Sequence, residues 1–193
     1  MNNRGHVGTT PSPKQVSMGM LSPNTIVRMA WARRGDWTPT PEQVNIGLND
    51  EDLRVRVAWA ERKHWTFTRE QVESGLSDKC WEVRRAWVKR MDWTPTSEQV
   101  ERGLNDEFWA VRALWAKRMD WAPTPEHVEI GLNDEYWEVR VLWAKREDFA
   151  IIHKHIEIGL NDQSSIVRDV WISRLKDEQS ELLGGEMYMC ESL

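Results

Sequence analysis

The sequence predicts an all-α fold, a solenoid of six two-helix repeats, and three observations predict it. The chain repeats itself at a period of 28 residues, without insertion or deletion, from residue 9 to 176. Each copy holds a helix-start signature followed by apolar positions at helical spacing. No stretch alternates as a strand would. The four inner copies begin at Trp37, Trp65, Trp93 and Trp121; WTPTSEQVERGLNDEFWAVRALWAKRMD is the third of them. The outer copies, residues 9–36 and 149–176, are degenerate but keep IVRMAWARR and IVRDVWISR. The repeats are therefore 9–36, 37–64, 65–92, 93–120, 121–148 and 149–176. Residues 1–8 are expected to be disordered, and 177–193 to form an acidic cap and tail in which SELLGGEMYM makes a short closing turn and then frays.

Counting positions from the first residue of each copy, the first helix opens at a capping box. Thr40-Pro41-Glu42-Gln43 places a hydroxyl ahead of Pro at the first helical position, with Gln three residues on. Thr68/Gln71 and Thr96/Gln99 repeat the box. This helix is short, turns residues such as Val100 and Leu104 inward, and ends at Asn105-Asp106. Asp106 is then expected to cap a second helix of about thirteen residues, roughly 20 Å at 1.5 Å per residue. Gly stands at position 11 in every copy, from Gly19 to Gly159. It is either a left-handed helix stop or a place where two helix backbones approach closely. The Leu or Met that always follows favours close packing.

Asp at position 14, Val-Arg at 19 and 20, and a small residue at 22 or 24 resemble HEAT repeats and their bacterial relative, the leucine-rich repeat variant. The resemblance covers nearly 90% of the chain. It implies a right-handed α-solenoid that serves as a scaffold for binding macromolecules. It also implies that the Asp and Arg six residues apart (Asp50/Arg56, Asp78/Arg84, Asp106/Arg112, Asp134/Arg140, Asp162/Arg168) form a ladder between neighbouring repeats. The period is shorter than that of most HEAT units, and Trp stands where the family usually has a small residue.

Stacking makes the same demand on every repeat, so a residue identical in all six copies is expected to belong to the core. Position 23 is Trp six times: Trp31, Trp59, Trp87, Trp115, Trp143 and Trp171. It shares a helix face with the constant Val at position 19. Position 1, Trp in the four inner copies, is expected to be buried between repeats. The Arg at position 20 lies at the margin of the buried face and needs a carboxylate, for which Asp at position 14 is the candidate. The Arg at position 26 can lay its stem on the Trp three residues back while its head reaches water. It is read both as structural and as open to a partner.

Positions that drift between copies mark the exposed face of the second helix. Position 16 is Asn24, Asp52, Cys80, Phe108, Tyr136 and Ser164, and the outward strip includes Val57, Arg85 and Val141. The candidate protein-binding residues are Phe108, Trp109, Tyr136 and Trp137 near the middle of the array, with Trp81, Arg85, Val57 and Val141. Ordinary surface drift is the competing reading. Lys89-Arg90, Lys117-Arg118 and Lys145-Arg146 line the other end of the second helices and make a candidate phosphate-binding stripe. The same cations also complement the helix dipoles.

Residues 9–176 carry 25 Lys and Arg against 26 Asp and Glu, so the net charge of −5 comes from the tail. That near-neutral body disfavours nucleic acid. Cys80 and Cys190 are far apart and suit a reducing, cytoplasmic setting. No apolar run reaches the ~20 residues of a membrane span, and the N-terminus lacks the apolar core of a secretory signal. Nucleophile elbow, phosphate loop and dinucleotide fingerprint are absent, and the five His are scattered, His127 and His155 replacing the capping Gln. The expectation is a non-catalytic scaffold without cofactor or metal, a monomer or weak dimer, that binds another protein. The alternatives are a nucleic-acid binder and a small inhibitor or adaptor that blocks a larger assembly.

Overall fold

The computed structural model of the protein describes residues 10–63 and 65–190, the stretch 178–190 as backbone. The expected disorder of residues 1–8 lies outside the described residues. Among those described there are twelve helices and no strand, so the chain is all-α. The helices keep one register. The first helix of every copy spans positions 5 to 12: α1 Pro13–Met20, α3 Pro41–Leu48, α5 Arg69–Leu76, α7 Ser97–Leu104, α9 Pro125–Leu132 and α11 His153–Leu160. The second begins at position 17: α2 Thr25–Arg33, α4 Leu53–Ala60, α6 Trp81–Val88, α8 Trp109–Lys117, α10 Trp137–Ala144 and α12 Ser165–Cys190.

The helices form two compact units, one ending at Trp93 and the other starting at Thr94. In the first, α1 packs on α2, α3 on α4 and α5 on α6, while α2, α4 and α6 pack side by side. In the second, α7, α9 and α11 make one row and α8, α10 and α12 the other, each hairpin joining the two rows. Every unit is thus two layers of helices with the core between them.

The capping boxes form as expected. Thr96 Oγ accepts from the Gln99 N–H, and the Gln99 side chain accepts from the Thr96 N–H at 3.0 Å. In α9 the substitute works too, since His127 Nδ1 accepts from the Thr124 N–H at 3.1 Å. The first helices end as Asn105, Asn133 and Asn161 fold their amides back to the carbonyl four residues earlier.

Three expectations change. The second helices other than α12 are eight or nine residues long rather than thirteen. The residue ahead of each is at position 16, because the Asp at position 14 does not cap. Its carboxylate accepts the backbone N–H of position 16, as Asp106 does from Phe108 and Asp134 from Tyr136, both at 2.8 Å. That is a tight turn which delivers the helix two residues later. The C-terminal segment, expected to close in a short turn, continues α12 to Cys190.

Glycine at position 11 has a use the sequence did not separate. It is a seat for an indole, not an approach of two backbones. A Cβ built on Gly103 would fall inside the ring of Trp115, and one on Gly131 inside Trp143, as at the other four positions. None of the six has a left-handed backbone. The position 23 indoles from Trp59 to Trp171 are 1% exposed or less and fill the space between layers; Trp31, in the first copy, is half-buried. Trp37 and Trp65 at position 1 are buried, and Trp37 stands edge-on to both Trp31 and Trp59 at 6.2 Å. Trp121 is half-buried and edge-on to Trp143 at 6.1 Å.

Candidate binding surface

The buried arginines come first, because they decide which cations and aromatics remain free. Arg56 Nη1 donates to the carbonyl of Asp50, six residues back, while its Nε and Nη2 grip the carboxylate of Asp78 in the next repeat at 2.7 and 2.9 Å. Arg28 takes Asp50 in the same way, and in the second unit Arg112 takes Asp134 and Arg140 takes Asp162. The ladder implied by the resemblance therefore exists within each unit. The residue six back supplies a carbonyl, and the carboxylate comes from 22 residues ahead. The hydrogen bonds to these carboxylates raise the Arg56, Arg112 and Arg140 guanidinium pKa values above their ordinary value, against the opposing effect of burial. At Asp162 burial pushes the carboxyl up, but hydrogen bonds from Arg140 and the Ser164 N–H outweigh it, and the net shift is downward.

The arginines at position 26 differ from expectation. The heads of Arg62, Arg90, Arg146 and Arg174 turn inward to backbone carbonyls, while the Arg34 side chain in the first copy stays 39% exposed. Arg146 is 3% exposed; its Nη1 donates to the carbonyl of Ala116, one repeat back, and its Nη2 to that of Trp121 at the start of its own repeat. Its Nε and Nη2 also hold Asp148, and the guanidinium carbon lies 4.5 Å from the Trp121 ring centroid. Arg118 is 3% exposed and holds Asp120, and Arg90 holds Asp92 and the carbonyls of Ala60 and Arg62. Burying such a group without partners would be expensive, and these guanidiniums have their partners inside. Of the proposed phosphate stripe, Arg90, Arg118 and Arg146 are committed to the core, and Lys89, Lys117 and Lys145 stay exposed.

The protein-binding candidates divide between the units. In the first, Val57 and Arg85 line a groove of about 440 Å³ across α2, α4 and α6. Met29, Leu53 and Ala86 floor it with Val57, and Lys89 stands at its rim with Arg33 and Glu61. Trp81 is half-buried and does not line it. Met29 lies at position 21, on the same outward strip as Val57; Leu53 and Ala86 were not singled out by sequence, because apolar residues at helical spacing read as core, and which face they line follows only from the helix register.

In the second unit, Phe108, Tyr136 and Trp137 gather at the amino ends of α8 and α10, 39%, 40% and 40% exposed. Tyr136 lies stacked on half-buried Trp109, ring centroids 5.7 Å apart and planes within 21°. The Arg112 guanidinium carbon is 5.6 Å from the Tyr136 ring. Val141 is a correction. It is 9% exposed, covered between the second-layer helices, and offers nothing to a partner. The surface is an aromatic step with a polar border. Among the described residues no three His, Cys, Asp or Glu converge as a metal site, and no helix is long and apolar enough to cross a membrane. Compared with known proteins, the chain matches no family model, no curated protein and no solved structure.

Proposed function

We propose that the chain is a right-handed, HEAT-like α-solenoid of six repeats that carries out no reaction and binds another protein through the outward face of its second helices. The observation that carries this reading is the aromatic step of the second unit. Phe108, Tyr136 and Trp137 leave about two fifths of each residue in water at the amino ends of α8 and α10. Large aromatics at the centre of a patch are what protein interfaces concentrate, since they bury much area for little lost side-chain entropy. The groove lined by Met29, Leu53 and Val57 gives the first unit a concave apolar surface on the same helices.

The test is the complex itself. Partners are captured from the native host with the purified chain, and each is re-measured against Phe108→Ala/Tyr136→Ala. The complex should weaken at least about tenfold, the scale of one interface hot spot. The melting temperature should fall by only about 2–4 °C, the cost of one lost ring stack in a chain of this size. A large loss of stability with unchanged affinity would place those rings in the core and remove the proposed surface.

A further inference from the structure

We propose that the open face of Trp137 is a seat for an arginine side chain from a basic segment of the partner; this rests on reading the surface as a protein-binding face. Trp109 and Trp137 occupy the same position in successive repeats, but they are covered differently. Tyr136 lies flat on Trp109, with the Arg112 guanidinium beyond it. The residue that stands to Trp137 as Tyr136 stands to Trp109 is Ser164, which has no ring. Among the described residues Trp137 makes neither a ring contact nor a cation–π contact, and it is 40% exposed.

The chain itself shows what suits such an indole. Arg34 stands 4.5 Å from the Trp31 ring centroid, Arg62 4.6 Å from Trp37 and Arg146 4.5 Å from Trp121. The ring face is negative, and a guanidinium is planar and weakly hydrated, so it stacks with less desolvation than an ammonium.

Charge selects the same occupant. The amino ends of α8, α10 and α12, residues 105–110, 133–138 and 161–166, contain no Lys or Arg. Asp134 and Asp162 are already held by Arg112 and Arg140. Glu135 keeps a 71% exposed side chain despite its contact with Arg112 at 3.2 Å, and Glu138, in the first turn of α10, makes no ion pair among the described residues. The amino end of a helix is worth about half a positive charge, less than these two carboxylates bring. A cation is therefore attracted to Trp137. A phosphate backbone is repelled, and a neutral apolar segment would strip water from the Glu135 and Glu138 carboxylates.

The probe is fluorescein-labelled octa-arginine, titrated by anisotropy, with octalysine and oligo(dT) in parallel. Octa-arginine is expected to bind more tightly than octalysine, and oligo(dT) not to bind. Trp137→Ala should weaken octa-arginine by about three- to tenfold, and Trp137→Phe by less. Ser164→Tyr supplies the missing ring, should cover Trp137 as Tyr136 covers Trp109, and should weaken the probe equally without lowering the melting temperature. No binding, an affinity of Trp137→Ala or Ser164→Tyr equal to that of the parent chain, or oligo(dT) captured through Trp137 would each overturn the assignment. A partner complex that still depends on Phe108 and Tyr136 would then leave the wider reading standing. Octa-arginine captured through Trp137, with no partner complex dependent on those two rings, would do the reverse.

Discussion

Trp115 is 1% exposed, and its indole occupies the space a side chain on Gly103 would need. The two residues act as one packing piece, so enlarging either should fail. Gly103→Ala improves local helix propensity by about 1 kcal/mol, yet forces a methyl into the ring and should cost about 1–3 kcal/mol from overpacking. Trp115→Ala should cost about 3–5 kcal/mol. Urea melts of both variants check this, and a Gly103→Ala protein more stable than its parent would remove the seat. His155 gives a second expectation at this scale. It is 1% exposed, its Nδ1 takes the Ile152 N–H at 3.5 Å, and its Nε2 has no partner among the described residues. Burial lowers its pKa from 6.5, only partly offset by the charge of Glu129. A base with a lowered folded pKa contributes its full stability above the unfolded value and loses it as the pH falls through the folded value. Stability should therefore fall below about pH 6.5, and His155→Gln, the residue other copies use there, should flatten that fall in melts between pH 7.5 and 5.

At the level of elements, the first helices were legible because both partners of each cap lie within four residues. Thr124→Ala should cost about 1 kcal/mol, the usual worth of such a cap, measurable as a shift in denaturation midpoint. The start of the second helix was less legible. Asp134 looks like a cap by its type and place, but its carboxylate must serve Arg112 and the Tyr136 N–H together, which moves the helix start to position 17. The cap position then falls to residue 16 of each repeat, which Asn24 and Asp52 fill with a side-chain oxygen and Phe108 and Tyr136 with an exposed ring that makes no cap bond. Sequence drift at position 16 marked the site without giving this cause. Arg146 shows the opposite limit. Its carbonyl acceptor at Ala116 is 30 residues away, and no local pattern points to it.

Over the whole molecule, charge falls into two kinds. The arginines at positions 20 and 26 are largely spent on holding repeats together, and the exposed Lys89, Lys117 and Lys145 stand without them. At about 150 mM salt the chain should show no measurable affinity for single- or double-stranded nucleic acid, since the stripe keeps only its lysines and residues 9–176 carry no positive excess. Binding with a steep salt slope that flattens in Lys117→Gln/Lys145→Gln would contradict this. Breaking the ladder should do far more than neutralising the surface: Arg112→Ala strands the Asp134 carboxylate and should cost about 3–5 kcal/mol in a urea melt. Acid should reach the ladder late, because the Asp162 pKa is held below its ordinary value of 3.8. Its contribution persists above that value and disappears as the pH falls through the lowered one.

Arg112 meets its carboxylate 22 residues ahead and its carbonyl six residues behind, so its ion pair crosses the junction between residues 120 and 121. A truncation at that junction leaves a severed pair. Within the second unit, excision of one 28-residue period between Arg112 and Asp162 does not, because another Asp arrives at the same offset: removing 113–140 would hand Arg112 to Asp162. Gene rearrangement can lengthen or shorten such an array in whole periods without first having to find a safe place to cut.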